Sequence, residues 1–290
     1  MQIVEENWRN RQARQQARLQ PFVERYRERR SRGEKHPVED FLWQYFSIRP
    51  GRLLQWSPGV GVELLGNTQE FLQCRGFVRS QNAGVWIPPD GVPEERQSSL
   101  QWIRNLLVNT RDRTPFFGCL GLHEWAMVYE EADIRHQQLP LRLSHEETRR
   151  VVETLPVRCT HFDAFRFFSK SARPLNRCVL TAEGRPDQEQ PACLHANMDL
   201  LKWQLKLGPW LPSDEVVDLF ELAMDARGVD MRASAYDVSS FGWESIRIET
   251  AEGRKEYVQE QERIANKAAP LRQRLIDRVE ALLQVLDRVV

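Results

Sequence analysis

The sequence predicts a mainly α protein, a helical domain with a small β-hairpin or short-strand element. Three observations carry that expectation. Apolar residues recur at three- and four-residue spacing through most of the chain, and Gly and Pro gather between residues 57 and 91 around the short apolar runs VGVELL and VWI. No stretch is apolar for the roughly 20 residues that a membrane-spanning helix needs.

Composition bounds the function classes. The 290 residues hold 41 Lys and Arg against 41 Asp and Glu, so the chain lacks the overall positive charge that supports sequence-independent nucleic-acid binding. Basic charge is local instead. Nine Arg and one Lys fall within the first 35 residues against five Glu, which reads as a basic helical arm over 1–35 and a route for nucleic-acid contact. Residues 36–290 are then expected to form a single, mostly helical catalytic domain. Five cysteines without a CxxC pair suit reduced thiols, and the polar start MQIVEENWRNRQ has no signal-like core, so a cytoplasmic protein is expected.

The elements follow in order. A helix over 5–32 carries an apolar patch of Leu19, Phe22, Val23 and Tyr26, and a second fits 37–47 with Pro37 at its first position. After the Gly/Pro-rich region, helices are predicted over 94–110 and 116–130. Ser144 and Glu147 form an S-x-x-E capping box that starts a helix over 144–154. Residues 156–160 read as a short strand and 171–191 as a polar loop. Helices over 192–207, 214–227, 250–268 and 271–290 complete the chain.

Histidines and carboxylates supply the candidate chemistry. In FFGCLGLHEWAMVY (116–129), His123 and Glu124 lie in a segment that has no polar face, so both are expected to be buried. Leaving either unpaired there would cost several kcal/mol, so each needs a hydrogen bond, an opposite charge or a metal. Cys119, four residues before His123, offers a weaker Cys/His pair. In CTHFDAFRFFSKSARPLN, His161 and Asp163 could ligate a cation, or Asp163 could orient His161 as a general base; the plainer alternative makes Asp163 a helix N-cap. The basic trio Arg166, Lys170 and Arg173 follows as substrate-binding candidates. In HANMD, His195 and Asp199 share one helix side, a spacing common to metal sites and to solvated faces, and His36 and Asp40 repeat it in HPVED.

Together, His123, His161, His195, Asp199, His36 and Asp40 provide donors for a mononuclear or dinuclear non-haem iron, manganese or zinc site, with Glu124 and Asp163 as the catalytic carboxylates. This predicts that His123, His161 and His195 converge in space. His136 and His145 lie among polar residues and are expected at the surface. The PGVG turn in WSPGVGVELL is like the hairpin of helix-hairpin-helix DNA-binding modules, but its flanks supply no matching Lys and Asp.

Several blocks, EKHPVEDFLWQYFSIRPGRL, CLGLHEWAMVY, THFDAFRFF, EQPACLHANMDLLKWQLKLGP and RIETAEGR, resemble a family of bacterial proteins labelled 3-methyladenine DNA glycosylase, over roughly residues 34–275. The resemblance implies a cytoplasmic repair enzyme that extracts a damaged purine and cleaves its N-glycosidic bond, with a carboxylate stabilising the sugar cation or activating water. The residues themselves point to a metal-dependent hydrolase or oxidoreductase acting on a polar small molecule or nucleobase-containing substrate. A non-catalytic helical binding protein is the alternative from a different class.

Overall fold

The chain begins with a two-residue strand, β1 (Gln2–Ile3), and a long helix, α1 (Glu5–Ser31). In the computed structural model every residue is described except 132, 133, 135–137, 289 and 290. Short helices α2 (Phe41–Tyr45) and α3 (Pro50–Leu53) follow, then strands β2 (Glu63–Leu64), β3 (Val78–Arg79) and β4 (Val85–Trp86). The remaining helices are α4 (Glu94–Asp112), α5 (Leu122–Ala126), α6 (His145–Thr154), α7 (Phe162–Phe165), α8 (Arg185–Gln188), α9 (Leu194–Leu207), α10 (Val216–Arg232) and α11 (Ala251–Asp287). The mainly α expectation with a small strand element therefore holds. Among the described residues no helix is long and apolar enough to cross a membrane.

The chain clusters into two compact units. The first comprises Met1–Asn105, Leu200–Glu221 and Leu271–Val290, and the second Leu106–Asp199 and Leu222–Pro270. In the first unit α1 is packed along its length, with Trp8, Leu19 and Val23 completely buried. Each large apolar side chain removed from water stabilises by about 1.5–3 kcal/mol, so this segment has no reason to swing free. Tyr26 stacks on Trp43 at 4.6 Å, and the Trp8 indole N–H donates to the Leu65 carbonyl at 2.9 Å. The Gly/Pro-rich region holds the strands, in the order β1-β2-β4-β3 with β1 parallel to β2 and the other pairs antiparallel.

In the second unit three expectations change. The predicted helix over 116–130 shrinks to α5, because Leu120 and Gly121 enter it in the left-handed conformation and Glu130 leaves in the same region. Gly121 is needed at that corner, where an added Cβ would lie 3.2 Å from the Ala233 methyl. Residues 156–160 form no strand. The helices expected over 250–268 and 271–290 are one, α11, which runs through Pro270. The capping box is present as predicted: Glu147 N–H donates to Ser144 Oγ at 3.2 Å and Ser144 N–H donates to Glu147 Oε2 at 3.0 Å. The five cysteines are free.

Two predictions follow from these contacts. Ser144→Ala removes the acceptor that starts α6 and is expected to lower unfolding stability by about 1 kcal/mol in urea titration. Asp225 on α10 accepts from Arg263 at 2.6 and 2.7 Å and from Lys267 at 2.7 Å. Burial pushes the Asp225 carboxyl up, but these cations outweigh it and hold the pKa below the usual 3.8. The bridge is therefore complete above that ordinary value and is lost as pH falls through the lower folded-state pKa. Asp225→Asn should destabilise by about 1 kcal/mol near neutrality, and the difference from the parent should shrink in acid melts.

Candidate metal centre

Four short stretches of the second unit bring the site together. α5 carries His123 and Glu124, and the residue before α7 is His161. Arg185 opens α8 and Glu189 follows it, while the first turns of α9 supply His195 and Asp199. The fifth contributor, α10, presents Arg227 and Asp230, three apart and so on one side of the helix.

The contacts form two linked networks. His123 Nε2 lies 2.7 Å from Asp230 Oδ1, and its Nδ1 lies 3.6 Å from Cys119 Sγ. Arg227, only 1% exposed, donates to Glu124 at 2.6 Å and to the second oxygen of Asp230. In the other network His161 Nε2 lies 3.3 Å from Asp199 and 3.7 Å from Glu189. Arg185 joins Glu189, Asp199 and Asp163 at 3.0, 3.2 and 3.2 Å. His195 links the two, its ring centroid 4.6 Å from that of His123 and 5.4 Å from that of His161.

Burial and charge set the imidazoles apart. Burial acts to lower the His123 pKa, but the facing Asp230 carboxylate raises it well above the ordinary histidine value. Burial holds His195 well below that value, with His123, His161 and Arg227 adding to the effect against Asp230. His161 caps α7, its Nδ1 accepting from the Ala164 N–H at 3.3 Å, which leaves the ring proton on Nε2 facing the carboxylates.

His123, His195 and Asp230 form one group whose donor atoms all lie within 4.8 Å of each other; His161, Glu189 and Asp199 form another. Donors around one tetrahedral ion at ~2.1 Å stand about 3.4 Å apart, so modest closure would suffice to hold a metal. A cavity of about 10 Å³ lies against His123, His161 and His195, space on the scale of a single water. Charge favours a cation there. Glu124, Asp163, Glu189, Asp199 and Asp230 are buried with Arg185 and Arg227. Even with His123 protonated and Arg166 beside Asp163, negative groups outnumber positive ones among the described residues of the cluster.

The structure thus brings His123, His161, His195 and Asp199 together. Glu124 and Asp163 join through arginines, and Asp163 pairs with Arg185 and Arg166 and does not orient His161. The N-cap is His161 and not Asp163. Arg166 is exposed and 3.4 Å from Asp163; Lys170 and Arg173 are exposed nearby in sequence. His36 and Asp40 belong to the first unit and make a local turn. There His36 Nδ1 accepts from Val38 and Glu39 N–H, and Asp40 pairs with Arg29, so both have structural work of their own. His145 is exposed as expected, and His136 lies outside the described residues.

Sequence reasoning missed Arg185, Glu189, Arg227 and Asp230. Arg227 and Asp230 carried a readable signal, since charges in the apolar run LAMDARGVDM needed partners just as His123 did. Glu189, in the polar stretch PDQEQ, carried none. The chain matches no protein-family model, no curated protein and no solved structure.

Arg227→Met leaves Glu124 and Asp230 without their shared cation. It is expected to cost about 3–5 kcal/mol in urea unfolding, whereas Arg166→Met at the exposed edge should stay within about 0.5 kcal/mol.

Proposed function

We propose that the protein is a metal-dependent enzyme whose ion is held in this buried cluster. The observation that carries the reading is the pair of adjacent donor groups, His123/His195/Asp230 and His161/Glu189/Asp199, joined through the His195 ring. In the first group burial holds the His195 pKa well below the ordinary histidine value, and a cation would take the place of the proton between His123 and Asp230. Two histidines and one carboxylate suit a non-haem ferrous ion, and zinc and manganese accept the same donors. When bound, iron would bring redox chemistry and zinc Lewis acidity to the site.

The chain's own residues have separate tasks in this reading. Arg227 and Arg185 orient the carboxylates. Asp163 stands at the outer edge, beside the exposed Arg166, with Lys170 and Arg173 following, so a polar, anionic substrate group would meet this basic trio first. The glycosylase activity implied by the resemblance would draw on the arginines of the first 35 residues for DNA. Arg9, Arg11, Arg18, Arg25 and Arg29 there sit within ion-pair distance of carboxylates, which favours the metal reading.

Elemental analysis tests this directly. Protein purified without chelator and reconstituted with ferrous, zinc or manganese ions should retain about one ion per chain after gel filtration. His195→Ala should lose it, and His36→Ala should not. Retention below about a tenth of an equivalent of every ion would overturn the reading. Release of 3-methyladenine from alkylated DNA by metal-free protein would replace it with the glycosylase.

A further inference from the structure

Residues 157–179 of the second unit combine exposed positive charge with exposed apolar side chains. Arg158, Arg166, Lys170, Arg173 and Arg177 are all exposed, and the one acidic residue of the stretch, Asp163, is buried. Among the described residues only Arg166 of the five has a carboxylate within reach, that of Asp163 at 3.4 Å. In a chain whose 41 basic residues are balanced by 41 acidic ones, this is a local excess. The stretch folds back on itself. The Arg177 N–H donates to the Val157 carbonyl at 3.0 Å and the Cys159 N–H to Asn176 Oδ1 at 2.8 Å, which sets the Arg158 backbone beside that of Arg177. Arg173 donates to the Arg166 carbonyl at 3.1 Å, so these two also lie together.

The apolar side chains narrow the kind of partner. Among the described residues, the large apolar side chains exposed in the second unit are Phe167 and Val179, at 39% and 86% exposure, and both belong to this stretch. Exposed apolar groups among like charges mark an interaction surface. A single-stranded nucleic acid would need open aromatic faces on which bases stack. Here the Arg166 guanidinium lies 5.4 Å from the centre of the Phe167 ring and that of Arg158 lies 4.1 Å from the centre of the Phe116 ring, while Val179 has no ring to offer. An anionic bilayer uses what is present: its headgroups pair with cations, and its interfacial layer takes up aliphatic and aromatic side chains alike.

We propose that this stretch is a docking surface for an anionic lipid bilayer, with the five cations on the headgroups and Phe167 and Val179 entering the interfacial layer. The proposal goes beyond the metal reading and does not rest on it. Arg166, Lys170 and Arg173 belong to both, whereas Arg158, Arg177 and Val179 belong to this surface alone. Variants are therefore made at those three, and the test reads neither metal content nor activity.

Cosedimentation of the full chain with vesicles tests it, comparing pure phosphatidylcholine with a mixture containing about one third phosphatidylglycerol. Partition onto the anionic vesicles should exceed that onto neutral ones by about tenfold or more and should fall as salt is raised. The substitutions alter exposed side chains, so folding should persist by circular dichroism. Arg158→Gln combined with Arg177→Gln should lower the partition by about tenfold, and Val179→Ser by about threefold or more. Absence of binding to anionic vesicles, equal binding to neutral ones, or partition unchanged in both variants would each overturn the assignment. Retention on a single-stranded oligonucleotide at salt that strips the protein from vesicles would overturn it in favour of a nucleic-acid surface.

Discussion

Arg227 is the fixed point of the second unit. Its guanidinium cannot be deprotonated at any pH the protein meets, so at 1% exposure the charge must be matched by carboxylates held in place. Glu124 from α5 and Asp230 from its own helix do this. Asp230 then has its other oxygen directed at His123, and the His123 ring sets the position of His195. The five-residue α5 has little intrinsic helical stability, so this ion pair and the buried Trp125 indole, which donates to the Ala233 carbonyl at 2.8 Å, account for its placement.

The same low-dielectric surroundings give three neighbouring imidazoles three different states. His123 is charged against Asp230, His195 is neutral through desolvation, and His161 carries its proton on Nε2 because a backbone amide occupies Nδ1. A cation entering the first donor group would have to displace the His123 proton, which couples binding at this centre to pH. Structural pairing and chemical readiness are therefore the same set of contacts here. The arginines that hold the carboxylates in the folded chain also fix the direction of their oxygens within the cluster.

Arginine serves three purposes in this protein. On α1, Arg11 and Arg18 are matched by carboxylates at the surface, which contributes little stability, while Arg29 pairs with the buried Asp40. In the cluster it is buried and obligatory. Elsewhere in the first unit Arg52 donates to the Leu205 carbonyl and the Arg75 guanidinium lies over the Trp210 ring.

The mainly helical class, the capping box at Ser144 and the burial of His123 and Glu124 were legible in the sequence, because periodicity, capping and the cost of burying charge are local properties. Convergence of His123, His161 and His195 was legible for a related reason: polar groups placed in apolar segments must find partners, and there were few candidates. The partners themselves were decided only by tertiary structure. Arg185 and Glu189 sit in a polar stretch that reads as loop, and His36 with Asp40 has the same spacing as His195 with Asp199 yet closes a turn in the other unit. Four-residue spacing places two side chains on one side of a helix, but only packing determines whether that side faces solvent, a backbone amide or a buried charge. The breaks at Leu120 and Gly121 and the continuity of α11 through Pro270 were likewise settled by packing, since close approach to Ala233 and a long buried apolar stripe outweigh local propensity.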